Sequence, residues 1–436
     1  MALEEQGLPT VAIHTHVFAR LVRSVALGHG MPTARQVFVP QPLVDQSPEQ
    51  LRAYIEGDDP VSGQPFAKAL LESLTQPLDD KDISGVSFER STPRLIEPDT
   101  EDNLRQLFEK NGWTDHLPVI LPTEERVAAM LAGTSHAADK VAGRIAPTLN
   151  REDWEFTVEK VAVNAVMAGA RPEYLPVILA LLASGQTARS SSTNSFATIS
   201  VVNGPIRKEI GMGDGVGTLG PYNHANVTIG RAYSLASMNL QGGSVPGDTY
   251  MGTLGNWYNL SATFAEAEER SPWAPLHVQH GFDANASVAT VFFGGWYTQA
   301  GYGPRATWQE KFRHAFAASE HYLPPIIVMD PIVARGFVEL GFDRKEKLIE
   351  WCARNAKVTA REYWDNQWTQ SLHHPRAVAG IEPYASRLAA GPDVEIEIYT
   401  EDEIKIIVAG GETQGAWKVF GGVHRPGYSV LIDDWR

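Results

Sequence analysis

Two pairs of histidines and a polar, glycine-rich centre are the residues of this chain whose types and spacing could do chemistry. The centre runs from Ser190 to Gly243 as SSSTNSFATISVVNGPIRKEIGMGDGVGTLGPYNHANVTIGRAYSLASMNLQGG. It joins the hydroxyl cluster Ser190, Ser191, Ser192 and Thr193 to Asn203-Gly204, to Asn223-His224-Ala225-Asn226 and to Arg231. Hydroxyls, carboxamides and a guanidinium offer hydrogen-bond donors to a carboxylate or phosphate, and glycines let a ligand come close to the main chain. Ser191, Ser192, Asn203, Asn226 and Arg231 are therefore the candidate substrate-binding residues. A polar loop, a turn and a capped helix would have the same composition.

The glycines Gly211, Gly213, Gly215, Gly217 and Gly220 do not form G-x-G-x-x-G between a strand and a helix, and G-x-x-x-x-G-K-[ST] is absent, so neither nucleotide fingerprint is present. His14 and His16 stand two residues apart, so on a strand both point to one side. An imidazole there can serve as general base near neutral pH, which makes them the candidate catalytic residues; a strand-end histidine bonded to a loop is the plain alternative. His277 and His280 have i, i+3 spacing with Glu266, Glu268 and Glu269 nearby, and on a helix they would offer two ligands to a metal. Pro272 and Pro275 weaken that helix and H-E-x-x-H is missing, so no metal is assigned and this pair stands as an alternative. Cys352, in a charged helical stretch, reads as a buried thiol rather than a nucleophile. G-x-S-x-G is absent, no Ser/His/Asp triad is assignable, and no cofactor is assigned.

The elements that must position these residues begin with a β-rich run, Val11 to Ile13, an amphipathic stretch, Val17 to Leu27, and a second β-rich run, Arg35 to Val39. Strand, helix, strand makes a βαβ unit with His14 and His16 at the carboxyl end of its first strand, where open α/β sheets bind ligands. Residues 56–120 read as a loop-and-helix connector with a helix near Glu101 to Asn111, and Thr123 caps the next helix. The spacing of Val158, Val161, Ala162, Ala165 and Val166 predicts a helix over about 153–170. An apolar helix ending near Gly185 follows, then a helix over Gly230 to Leu240. Val288 to Phe293, Ile326 to Met329 and Ile404 to Ala409 read as strands, Asp343 to Asp365 as a pair of charged, solvated helices, and His373-His374-Pro375 as a surface turn. No internal repeat is evident.

Length and charge narrow the function. At 436 residues the chain exceeds what a single core usually organises, so two or three domains are expected. With 37 basic against 52 acidic residues it carries a net charge of −15, which opposes general affinity for nucleic acid or anionic membranes. The amino terminus shows no secretory pattern, and the longest apolar stretch, Leu175 to Ala183, is too short to span a bilayer. One cysteine excludes intrachain disulfides and fits a reducing compartment. A cytoplasmic enzyme or subunit with a small-molecule substrate is the expectation.

The amino-terminal run GLPTVAIHTHVFARLVRSVALGHGMPTARQVFVPQPL resembles the second half of the UGSC-like (seleno)protein domain, in which a thiol or selenol motif precedes such a segment. The runs LPTEERVAAMLAGT, TVEKVAVNAVMAGARPEYLPVILA, VVNGPIRKEIGM and ANVTIGRA resemble the larger domain fused to or paired with it, so the resemblance covers most of residues 7–300. The U/C-G-S-C element expected ahead of the first run is missing, Met1 lying only a few residues before it.

The resemblance implies an α/β fold: an N-terminal Rossmann-like half domain (1–55), the connector (56–120), and a larger mixed α/β domain carrying the glycine-rich site (121–436). It also implies a small UGSC-like, Cys-containing subunit that supplies the leading strand and the nucleophilic thiolate, hence a hetero-oligomer. The expected activity is cleavage or addition at a carbon–heteroatom bond of a small polar, anionic substrate, with His14 or His16 moving a proton near the thiolate. A metal-dependent lyase or hydratase using His277 and His280, and a non-catalytic scaffold subunit, are the other readings.

Overall fold

The computed structural model describes residues 3–28, 30–43, 46–85, 93–145, 154–186, 197–240, 246–247, 250, 262–294, 297–304, 306–421 and 424–436. The protein is mixed α/β. Its first unit is the expected βαβ: β1 (Ala12–Thr15) and β2 (Gln36–Val39) pair in parallel across the helix Ala19–Gly28. Val37, Val39 and Phe66 form its small core, with Tyr54, Ala69 and Leu70 packed against them. Buried Asp59 accepts the Phe38 amide at 2.9 Å, and Arg35 donates to the carbonyls of Ser73, Gln76 and Pro77, tying residues up to 77 to the β-unit.

The body opens on a hairpin-like pair, β3 (Val141–Ile145) and β4 (Trp154–Thr157). The helix expected over 153–170 is therefore shorter. Trp154 to Thr157 pair with β3, and the Thr157 side chain caps a helix confined to Val158–Met167. Aromatic and β-branched residues with a partner strand at hand override the helical period there.

Two four-stranded sheets follow. The first has the order β14-β7-β5-β6, from β5 (Ala197–Asn203), β6 (Ala262–Ala265), β7 (Val288–Gly294) and β14 (His424–Leu431). The second has the order β12-β9-β13-β8, from β8 (Tyr297–Tyr302), β9 (Ile326–Met329), β12 (Lys405–Val408) and β13 (Ala416–Gly421). A separate small pair, β10 (Lys357–Thr359) with β11 (Glu395–Glu397), lies between β9 and β12 in sequence.

These sheets are one topology used twice. In each, a central strand pairs in parallel with an edge strand later in the chain (β5 with β6, β9 with β12) and antiparallel with a third (β7, β13). The fourth strand is exchanged: β8 continues from β7 into the second sheet, and β14 continues from β13 into the first. The register matches residue by residue. Ile199 faces Ala262 and Phe292 as Ile326 faces Lys405 and Phe420, and Val201 faces Phe264 and Thr290 as Val328 faces Ile407 and Lys418. The sequences agree most around the end of the third strand, Val-Phe-Phe-Gly-Gly at 291–295 against Val-Phe-Gly-Gly at 419–422. An internal repeat is thus present, contrary to the expectation from sequence.

The repeat explains the core. Ile199, Val201, Phe264 and Phe292 from one copy meet their equivalents Ile326, Val328, Ile407 and Phe420 in a single buried cluster between the sheets. The outer face of the first sheet packs on the helices Val158–Met167, Leu175–Ala183 and His224–Leu240, and that of the second on Trp308–Ala317, Pro331–Glu339 and Lys345–Asn355. The layers run helix, sheet, sheet, helix. Eight of nine residues of Leu175–Ala183 are buried, and each large apolar side chain so enclosed contributes roughly 1.5–3 kcal/mol. Among the described residues no helix is long and apolar enough to cross a membrane.

Candidate functional site

Within the glycine-rich centre, residues 213–226 are clamped into a wall. Asn226, in the helix His224–Leu240, clamps both main-chain groups of Gly213, accepting its N–H at 3.0 Å and donating to its carbonyl at 2.8 Å, and donates also to the Thr218 carbonyl. The Thr218 hydroxyl donates to the same Gly213 carbonyl at 2.7 Å. Arg270 bridges Asp214 and the Gly410 carbonyl, and the Gly410 amide donates to the Asp214 carbonyl. A β-carbon on Gly411 would lie 2.4 Å from Val216, so only glycine lets the two loops approach this closely.

Between this wall and the carboxyl ends of β9 and β12 lies a cavity of about 450 Å³. Gly217 to Gly220 form one side, Val328, Asp330 and Ala409 the floor, and Tyr302, Gln414 and Lys418 reach in from the opposite side. Asp330 is committed to structure: its carboxylate caps the helix Pro331–Glu339 by accepting from Val333 N at 2.9 Å and also accepts from Ala416 N. Lys418 carries no hydrogen bond or ion pair with any described residue. Its sequence context did not single it out; the repeated Val-Phe and Gly-Gly residues just after it were the available signal.

The equivalent end of the first sheet is filled. Glu266, at the position of Ala409, is fully buried; it accepts from Asn203 Nδ2 at 2.8 Å and Leu276 N at 2.7 Å and pairs with Lys345, itself 1 % exposed, at 3.3 Å. Lys345 begins one of the helices expected to be solvated, and its ammonium is buried because Glu266 waits for it. Glu268 accepts from Asn203 Nδ2 and Gly204 N and pairs with buried Arg207 at 2.9 Å, while Glu269 pairs with Arg207 and Lys208. Burial alone would raise the Glu269 carboxyl, but these two cations outweigh it and bring it to about 2. Gly204 has φ +85°, and a β-carbon there would strike the Ala286 carbonyl at 2.1 Å, which fixes glycine after Asn203.

The candidate residues do not gather in one pocket. Asn226 spends its whole carboxamide on the contacts above, and Asn203 spends its Nδ2, its Oδ1 lying buried without a partner among the described residues. Arg231 grips buried Asp115 through two bonds of 2.9 Å and reaches the Pro118 carbonyl, tying the segment before the body to the central helix. Burial would raise the Asp115 carboxyl, but this guanidinium holds it below the usual range. Ser191 and Ser192 lie outside the described residues. His277 and His280 fall on a four-residue helix and its cap, Leu276–Gln279, and diverge: buried His277 approaches Ala284 O and Glu268, whereas His280 Nδ1 bonds Ser429 Oγ at 2.7 Å. Burial, then the ammonium groups of Lys405 and Lys345, hold the His280 pKa below its ordinary value. Among the described residues no three His, Cys, Asp or Glu side chains are grouped to hold a metal ion.

In the first unit β1 ends at Thr15, and His16 opens a 3-10 turn, His16–Phe18, as an exposed residue, so the two imidazoles do not share a strand face. The chain leaves the extended conformation one residue earlier than the alternation assumed. His14 is half-buried at 6.1 Å from the Phe38 ring, and burial lowers its pKa. Beside it, Ala12 and Ile13 are exposed, Ile13 by 54 %. Cys352 is fully buried and burial pushes its thiol far up, in keeping with an inert core residue. His373 is not in a surface turn: it is buried between two short helices, with Nδ1 2.6 Å from the Tyr363 hydroxyl.

Residues 1–57 match the model of the UGSC family, so the βαβ unit is a UGSC-like segment. A comparison of the chain with curated proteins finds no match.

Proposed function

We propose that this chain is the larger subunit of a thiol-dependent enzyme that cleaves or adds at a carbon–heteroatom bond of a small polar, anionic molecule, the thiolate coming from a small Cys-bearing subunit that pairs along β1. The observation that carries this reading is the pairing of half-buried His14 with the exposed outer side of a parallel βαβ edge in a UGSC-like segment, in a chain whose one cysteine is sealed in the core. Exposed strand edges are normally paired or covered, and the carboxyl end of such a strand is where α/β sheets act. Burial holds the His14 pKa below its ordinary value, which favours the neutral imidazole that can take a proton. In the first half-reaction the partner's thiol gives its proton to His14, the thiolate forms a C–S bond as the C–X bond breaks, and His14 returns the proton to X. No electrons are exchanged with a third party.

The test uses the chain with a small Cys-bearing protein encoded in its neighbourhood. A stable complex, hydrogen-exchange protection of residues 12–15 on mixing, and faster alkylation of the partner thiol by iodoacetamide at pH 7 are expected, the last lost in His14→Gln. A chain that turns over its substrate alone as Cys352→Ser, or an iodoacetamide rate unchanged by mixing, overturns the reading.

A further inference from the structure

The repeat allows a position-by-position comparison of the two sheet ends, and it isolates Lys418. Lys418 faces the inter-sheet side, between Val328 and Ala300; its equivalent, Thr290, lies between Val201 and Ser429. Around Thr290 the space is taken up: its hydroxyl bonds Ser429 Oγ at 2.9 Å, Ser429 bonds His280, and Glu266 occupies the end of the parallel pair. Around Lys418 the corresponding positions are Ala300, the cross-strand neighbour, and Ala409, which lines the cavity of about 450 Å³. A small residue makes room, and Lys418, without a partner among the described residues, lines the space.

We propose that this cavity binds a small monocarboxylate, with Lys418 as its counter-ion. A partly enclosed ammonium next to apolar walls gains most from an anion that replaces the water it loses. The walls, Val328, Ala409 and Leu219, suit a short apolar tail, and Gln414 and Tyr302 supply hydrogen-bonding groups for a further polar substituent. One cation sets the charge at one. Asp330 already occupies the helix start that would otherwise receive phosphate, and Arg270 and Arg335 are committed to Asp214 and Glu412. The larger hollow of about 520 Å³ near Thr134, Ser135 and Arg436 offers no such group, since both hydroxyls bond the terminal carbonyls and Arg436 pairs with Glu209 and Asp433. This site stands whether or not a thiol partner exists.

The test is thermal stabilisation and calorimetric binding of the full chain with butyrate, butyramide, succinate and inorganic phosphate at constant ionic strength. Butyrate is expected to stabilise saturably, butyramide not at all, and succinate and phosphate less than butyrate. Lys418→Met lowers butyrate affinity by about tenfold or more, the worth of a charged hydrogen bond, and Lys418→Arg retains binding. Ala409→Glu, which puts a carboxylate where the first repeat has Glu266, abolishes binding with Lys418 still present and keeps the test open if Lys418→Met fails to fold. Butyrate acting no differently from chloride, phosphate binding more tightly than butyrate, or undiminished butyrate binding by folded Lys418→Met overturns the proposal.

Discussion

The carboxyl ends of the two sheets share one topology and register but are opposites in content. At the first, Glu266, Asn203, Glu268, Arg207 and Lys345 bond one another in a buried network, and the Thr290–Ser429–His280 chain closes the rest. At the second, alanines replace the carboxylate and the hydroxyl, a clamped loop forms a wall, and one lysine has no partner among the described residues. The difference teaches how to separate architecture from function in a polar site. Charges that satisfy each other at full burial hold the fold together, whereas a lone charge beside empty space is available to a ligand.

The largest effect should come from breaking the filled end. Lys345→Met removes the ammonium and leaves the Glu266 carboxylate buried and uncompensated, a loss of roughly 3–5 kcal/mol for a pair of this kind. Urea unfolding measures it. The double variant with Glu266→Gln should recover part of the loss, because the remaining carboxamide can still accept the Leu276 amide. A loss below about 1 kcal/mol for Lys345→Met would mean that the network is not structural, and the contrast would have to be redrawn.

Acid should act next. Each half carries an imidazole whose pKa burial lowers, half-buried His280 in the filled end and buried His373 in the segment between β9 and β12. Burial, then the Arg387 and Arg376 guanidinium groups, lower His373 to about 4 from an unfolded value of 6.5. Between those values the unfolded chain binds a proton that the folded chain does not, so stability is complete above pH 6.5 and is lost as pH falls toward 4, by about 3 kcal/mol in all. His373→Gln should flatten the stability curve over that window. His280→Gln acts in the same direction, and comparing the two slopes tells which repeat yields first.

Much of this was legible in the chain. The βαβ unit and the strands Val288–Gly294 and Ile326–Met329 announced themselves through short β-branched and apolar runs bounded by glycine, proline or aspartate. The glycine series marked the wall of the cavity, because close loop contact demands glycine in any fold. The repeat was hidden, since its conserved content is mostly apolar identity (Ile199 with Ile326, Val201 with Val328) that any buried strand shows. Polar residues misled most. Asn203, Asn226 and Arg231 carry donors fit for a ligand, but which partner takes them is decided by residues 13 to 116 positions away, Gly213, Glu266 and Asp115. His373 read as exposed beside a proline, yet the Tyr363 hydroxyl draws it inward.

The smallest effect is the most telling for the contrast. Lys418 holds no described partner and is only half-buried, so Lys418→Met removes no bond and relieves a partly desolvated charge. Its unfolding free energy should stay within about 0.5 kcal/mol of the parent chain, in the range of substitutions away from any structural network. The same urea titration used for Lys345→Met measures it, so two lysine-to-methionine changes in one protein are compared directly. A loss of 2 kcal/mol or more would show that the cavity ammonium supports the fold as its counterpart does, and the open end would then be a filled one whose partner is water.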